Sequence, residues 1–139
     1  RGRVGEAEDG SLEVGYVLES APTEFMAITS NDWNDLGLQM SPDASRVCWF
    51  SERQGHYQGN IEWLDRATGQ QAELDWPGRQ GVCEWTPDGR GFFFRESVLV
   101  AEGAGSRTRL MYYEPGYDLP RVVRDVPGAS TFLVDFIDR

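Results

Sequence analysis

The segment Trp85-Thr86-Pro87-Asp88-Gly89-Arg90 repeats an earlier segment, Met40-Ser41-Pro42-Asp43-Ala44-Ser45-Arg46, with 45 residues separating Thr86 from Ser41. Proline favours the second position of a β-turn, and the aspartate side chain can cap the backbone of the same turn. A second marker, Asp75-Trp76-Pro77-Gly78, returns as Asp125-Val126-Pro127-Gly128. Together the two markers indicate a repeat protein with a period near 45 residues.

Each copy of the repeat contains the same succession of short apolar runs. Runs rich in β-branched and aromatic residues, separated by Gly, Pro and Asp, are typical of strands. No helical period of about 3.6 residues persists along the chain. The predicted strands of the two full copies cover 36–40, 46–51, 60–65 and 71–74, and then 81–85, 91–95, 109–114 and 121–124. The sequence therefore predicts an all-β protein with four antiparallel strands per repeat.

This order of motifs resembles the repeat of TolB-type β-propellers, which are relatives of the WD-repeat propellers. The segment Trp85-Thr86-Pro87-Asp88-Gly89 matches the aromatic-Ser-Pro-Asp-Gly element of that repeat, and 59–69 matches its Gly-x-Ile-Tyr-x-x-Asp-x-x-x-Gly element. The match is good over 40–100 and fair over 10–39 and 101–139. The resemblance implies propeller-type blades. It leaves function open, because such blades serve binding proteins, peptidase gating domains and lyases alike.

The number of repeats falls short of a closed ring. The two full copies, 36–74 and 81–124, are preceded by predicted strands at 12–19 and 24–29 and followed by one at 131–137. Propellers usually have about 4–8 blades. We therefore expect a longer propeller, a ring completed by another chain, or an open stack of sheets covered by a partner. In each case a protein partner or additional propeller sequence is predicted.

Charge and hydropathy exclude several classes of partner. The 139 residues include 13 basic and 23 acidic side chains, for a net charge of −10. Nucleic acids and anionic membrane surfaces both require basic patches. No apolar run approaches the ~20 residues of a membrane span. The sequence therefore predicts neither nucleic-acid binding nor a transmembrane segment within this chain.

The two cysteines, Cys48 and Cys83, lie in apolar runs 35 residues apart, and neither belongs to a Cys-x-x-Cys pair. This spacing gives no support to a zinc site or to dithiol redox chemistry. Our first expectation is a pair of buried free thiols. The alternative is a single disulfide, which would fit an oxidising compartment.

The sequence contains no recognisable catalytic constellation. His56 is the only histidine, and no nucleophile-elbow motif accompanies it. The loop Asn31-Asp32-Trp33-Asn34-Asp35 offers the oxygen ligands that Ca²⁺ prefers, but it lacks the glycine and the closing glutamate of the twelve-residue calcium loop. We therefore interpret it as a polar turn, with calcium or sugar binding as a further alternative. No catalytic residue, metal ligand or cofactor is predicted.

Aromatic residues supply the candidate partner-binding positions. Trp49, Trp63 and Trp85 alternate within predicted strands, which favours packing between blades. Loops that precede innermost strands lie at one end of a propeller, where aromatic side chains can anchor a partner. The predicted partner-binding residues come from two such loops, a hairpin tip and the last predicted strand: Trp33, Trp76, Tyr117, Phe132, Val134 and Phe136.

These observations predict an N-terminal arm or linker over 1–10 and a blade domain over 11–139. The predicted function is a non-enzymatic binding or scaffold module, an accessory subunit of a larger bacterial cell-envelope or membrane-associated assembly. The family resemblance implies a periplasmic or envelope location. The alternative is part of the gating propeller of a serine peptidase resembling the prolyl-oligopeptidase group, with its catalytic domain outside this chain.

Overall fold

Three antiparallel sheets follow one another along the chain. A computed structural model describes residues 2–7, 10–55, 58–99 and 106–127. The first sheet contains β1 (Gly2–Glu6), β2 (Leu12–Leu18) and β3 (Ala21–Ala27), paired in that order. Its short connections favour this pairing of neighbours.

The second and third sheets have four strands each, and chain neighbours are again paired. The second sheet contains β4 (Asp35–Met40), β5 (Arg46–Gly55), β6 (Gln58–Asp65) and β7 (Gln71–Glu73). The third contains β8 (Arg79–Trp85), β9 (Phe92–Leu99), β10 (Ser106–Tyr113) and β11 (Arg121–Pro127). The all-β class and the four-stranded repeat unit are thus confirmed, and the sheets form a propeller-like fold.

The structure adds a strand near the N-terminus. Part of the segment predicted as an arm or linker forms β1, which pairs with β2 from Gly2↔Tyr16 to Glu6↔Leu12. The sequence 2–6 contains one strongly apolar residue, Val4, and this residue is exposed. An exposed edge strand needs little hydrophobicity, which is why composition alone suggested an arm. The last predicted strand, 131–137, lies outside the described residues.

The core consists of two apolar layers, one on each face of the second sheet. Alternate residues of β5 enter different layers: Val47 and Trp49 face the first sheet, and Cys48 faces the third. A strand buried on both faces reads as a continuous apolar run, as 47–50 does. The buried members of the two layers are Val14, Leu38, Val47 and Trp49, and then Cys48, Ile61, Trp63, Leu74, Cys83, Trp85, Phe92, Phe94 and Met111.

The cysteines are joined, so the first expectation of two free thiols is wrong. Cys48 on β5 and Cys83 on β8 form a disulfide with a Cα–Cα distance of 6.5 Å. Both side chains are buried between the second and third sheets. Nothing in the local sequence indicates this pairing, because the contact depends on how one blade packs against the next.

The two repeated turns share a hydrogen-bond pattern. Asp43 accepts bonds from Ser41 Oγ (2.8 Å) and Ser45 N (3.0 Å). Asp88 accepts the equivalent bonds from Thr86 Oγ1 (2.5 Å) and Arg90 N (3.0 Å). Donation to the charged carboxylate, from Ser45 above all, lowers the pKa of Asp43 to about 2. The Ser/Thr-Pro-Asp motif is therefore a capped turn.

One turn position differs between the repeats and provides a matched test. Ala44 and Gly89 both have left-handed backbones, with φ of 59° and 70°. This conformation costs a non-glycine residue about 1–2 kcal/mol, whereas glycine adopts it freely. We expect Ala44→Gly to raise the free energy of unfolding by up to about 1 kcal/mol, because glycine's greater entropy in the unfolded state offsets part of the relief.

Gly89→Ala is expected to lower that free energy by about 1 kcal/mol. A Cβ at Gly89 would lie 3.7 Å from Ser41 Cβ, an ordinary contact, so the effect would be conformational. Denaturant unfolding of both variants measures the two changes. Changes of the same sign would contradict a shared turn geometry.

Candidate partner-binding surface

Trp33 lies at the end of the sheets where β4 begins. The guanidinium of Arg53 sits 4.8 Å from the centroid of its ring, a cation–π geometry. Arg53 is itself held by Glu62 and Glu73, each at 3.0 Å. Trp33 is half-buried, so only part of its ring faces solvent.

Trp76 lies at the same end of the sheets, where β8 begins, but it is engaged within the fold. Its ring packs against the apolar layer between the second and third sheets. Its Nε1 donates a hydrogen bond to the carboxylate of Glu96, which is fully buried and also accepts a bond from Arg109 Nε at 2.7 Å. Trp76 therefore helps to satisfy a buried charge, as well as lying near a surface.

Tyr117 lies at the opposite end, in the turn between β10 and β11. Arg121 stacks 4.7 Å from its ring centroid and donates a hydrogen bond to its hydroxyl. The rings of Tyr112 and Tyr113 are 6.1 and 6.4 Å away. Tyr117 does lie in a hairpin turn, as predicted, and the neighbouring side chains leave its ring half-buried.

The predicted set does not form one site. Trp33 and Trp76 are at one end of the sheets and Tyr117 is at the other. The remaining three predicted residues, Phe132, Val134 and Phe136, lie outside the described residues.

The structure shows an apolar groove on the outer face of the third sheet, which was not predicted from the sequence. Phe92 and Phe94 face the core, so Phe93 between them faces the other way. Its ring centroid is 5.2 Å from that of Tyr112 on the neighbouring strand. The groove has a volume of about 430 Å³ and is lined by Thr86, Phe93, Tyr112, Arg121, Val122 and Val123.

Exposed apolar residues surround this groove. Val123 is 52% exposed and Val122 is 49% exposed. The alternation in Phe92-Phe93-Phe94 could have located the groove from sequence, because a strand with two buried phenylalanines must direct the third to the opposite face. We name Phe93, Tyr112, Val122 and Val123 the outer groove.

The outer face of the first sheet is apolar as well. The ring of Phe25 lies over Gly15, where an added Cβ would be only 2.7 Å from the ring. Glycine at this position lets the aromatic ring lie flat on the sheet. Phe25 remains 38% exposed. Both end faces of the three-sheet stack therefore present aromatic surface.

Side chains that could hold a metal ion are not clustered in the part of the chain that the structure covers. Within it, no group of three or more His, Cys, Asp or Glu side chains is placed to hold a metal ion. His56 lies outside that part. None of the covered residues belongs to a helix long and apolar enough to cross a membrane.

Comparisons with known proteins identify the fold. No family model matches the chain, and no curated protein matches it. Among solved structures, the chain is similar to a prolyl endopeptidase from a structural and mechanistic analysis of two such enzymes, which concerns the role of inter-domain dynamics in catalysis and specificity. The TM-score is 0.61 and the identity 15% over 83% of this chain, which spans 19% of that enzyme's chain. At this identity the similarity shows a shared propeller-like fold.

Proposed function

We propose that these sheets are consecutive blades of a larger propeller and act as a non-enzymatic binding or scaffold module. The observation that carries the proposal is the outer groove. The two internal interfaces of the stack bury large apolar side chains, whereas Val122 and Val123 are about half exposed. Large exposed apolar patches mark interaction sites in soluble proteins. A further blade or a protein partner would cover this face.

The repeated turn supports the TolB-type assignment. Its serine or threonine, proline and aspartate occupy equivalent positions in both four-stranded sheets, with equivalent hydrogen bonds. The disulfide supports an oxidising compartment. Together they favour an accessory subunit of a bacterial cell-envelope assembly, located in the periplasm.

A second candidate is favoured by the structural comparison. The similarity to a prolyl endopeptidase covers 83% of the chain. On this hypothesis the blades belong to the gating propeller of a prolyl-oligopeptidase-like serine peptidase. The catalytic domain would lie outside this chain, and the propeller would control access to it.

The first experiment tests the groove in the natural protein that contains these residues. Val123→Glu places a charge on an apolar contact surface, and Thr68→Glu places the same charge in an exposed turn between β6 and β7. Denaturing and native mass spectrometry separate covering by the same polypeptide from covering by another chain. We expect Val123→Glu to weaken the assembly roughly tenfold or more, or to destabilise the longer propeller, while Thr68→Glu does neither.

Equal behaviour of the two variants would overturn the proposal. The peptidase candidate is decided separately by exposing the natural protein to a fluorophosphonate, which labels active serine hydrolases. Covalent labelling of the same polypeptide, with cleavage of a proline-containing chromogenic peptide, would favour the gating propeller. No labelling would favour the binding module.

A further inference from the structure

The two junctions within the three-sheet stack differ in how much apolar surface they bury. At the second junction, between the second and third sheets, the third sheet contributes the buried apolar side chains Cys83, Trp85, Phe92, Phe94 and Met111. At the first junction, between the first and second sheets, the first sheet contributes only Val14 among the buried residues that the structure describes. Apolar burial is the main force that holds sheets together, so the first junction is the weaker one.

Polar contacts strengthen the second junction further. Gln80 on β8 is 4% exposed, and its Oε1 accepts a hydrogen bond from Ile61 N on β6 at 2.7 Å. Trp85 Nε1, also on β8, donates a hydrogen bond to Gln39 O on β4 at 3.1 Å. The disulfide adds a covalent link between the same two sheets. The second and third sheets are therefore fastened by three kinds of contact.

The first sheet is fastened mainly to the loop 28–34, which connects β3 to β4. Leu12 N donates to Asn34 Oδ1 at 2.8 Å, and Asn31 N donates to Glu13 Oε1 at 2.9 Å. A contact that crosses to the second sheet lies at the protein surface. There the guanidinium of exposed Arg66 sits 4.8 Å from the centroid of the Tyr16 ring. Cation–π pairs at exposed sites are weak, so this contact holds the junction only loosely.

The first junction also contains a polar group that burial penalises. Trp49 on β5 is fully buried in the apolar layer that faces the first sheet. Its Nε1 has no hydrogen-bond partner among the described protein groups. A buried donor without a partner costs the free energy of its lost hydration. Separation of the two sheets would return this N–H to water, which lowers the cost of opening at this junction.

We infer that the first sheet detaches from the stack as a separate unit, so that the molecule opens at the first junction while the second stays closed. Small sheets need an apolar face packed on a neighbour for stability, so the detached strands β1–β3 would unfold together. Opening exposes Val14 and Trp49, an apolar surface between blades that the closed stack hides. This opening is expected under either candidate function.

Hydrogen exchange followed by mass spectrometry tests this opening in the oxidised natural protein that contains these residues. The comparison is between β2 and β9, because each is a central strand paired on both sides. Edge position therefore cannot produce a difference between them. We expect amide protection factors in β2 to be lower than those in β9 by roughly tenfold or more, and β3 to exchange together with β2.

Two surface arginines provide matched variants. Arg66→Ala removes the contact with Tyr16 and should lower protection in β2 by roughly two- to fivefold, while β9 stays unchanged. Arg107→Ala removes an exposed ion pair with Asp125 within the third sheet and should leave β2 unchanged. Equal protection of β2 and β9 in the wild-type protein would overturn the inference. Equal effects of the two variants on β2 would also overturn it, because the stack would then open as one cooperative unit.

Discussion

Replacing Arg109 by alanine is expected to lower the free energy of unfolding by about 3–5 kcal/mol, the typical cost of removing one partner from a buried ion pair. Arg109 Nε lies 2.7 Å from Glu96 Oε1, and the Glu96 side chain is 1% exposed. Without Arg109, the carboxylate keeps the neutral donor Trp76 Nε1 but loses the positive charge that compensates its own. Denaturant unfolding of the natural protein measures the loss.

A second arginine on β10 supplies a control. Arg107 on β10 pairs with Asp125 on β11 at 2.7 Å, and the side chains are 43% and 33% exposed. Exposed ion pairs contribute about 0–1 kcal/mol. Arg107→Ala should therefore cost at most about 1 kcal/mol. If Arg109→Ala and Arg107→Ala lowered the free energy of unfolding by similar amounts, burial of Glu96 would not explain the cost of losing Arg109.

Much of the fold was predictable because the repeat is encoded locally. The Ser/Thr-Pro-Asp turn needs only residues within five positions of one another, and Asp43 and Asp88 form the hydrogen bonds that the motif implies. Strand alternation is also local, so Trp49, Trp63 and Trp85 could be assigned to packing between blades. The structure places all three in its apolar layers.

Features that depend on contact between sheets were harder to predict. The Cys48–Cys83 disulfide joins two blades, and nothing in either flanking sequence distinguishes a bonded cysteine from a buried thiol. β1 was missed because an edge strand exposed to solvent has little apolar content. The hydrogen bond from Asn31 N to Glu13 Oε1 likewise connects residues 18 positions apart, joining the loop before β4 to β2.

In the candidate partner-binding surface, too, local features were predictable and tertiary contacts were not. The sequence places Trp33 and Trp76 in loops just before predicted strands, and in the structure they lie just before β4 and β8. Their tertiary partners, Arg53 for Trp33 and Glu96 for Trp76, could not be inferred from spacing. The outer groove exists because no described sheet packs on that face of the third sheet. This depends on the order in which the sheets stack, which no sequence motif specifies.

The disulfide should contribute about 3–4 kcal/mol to stability, by the loop-entropy relation for a separation of 35 residues. The bond joins β5 and β8, so it restricts the unfolded chain at the junction between two blades. We expect the double variant Cys48→Ala with Cys83→Ala to lower the free energy of unfolding by this amount. Denaturant unfolding under oxidising conditions measures the change.

Reductant provides the matched comparison. Reducing the wild-type protein should produce a similar loss without changing any side-chain packing beyond the two sulfurs, whereas the double variant should not respond to reductant. A wild-type protein indifferent to reduction would contradict a stabilising role for the bond. Because Cys48 and Cys83 are buried in the layer between the second and third sheets, a cytosolic redox poise would weaken that interface directly. The size of the reductant effect therefore measures how strongly this propeller segment depends on an oxidising compartment.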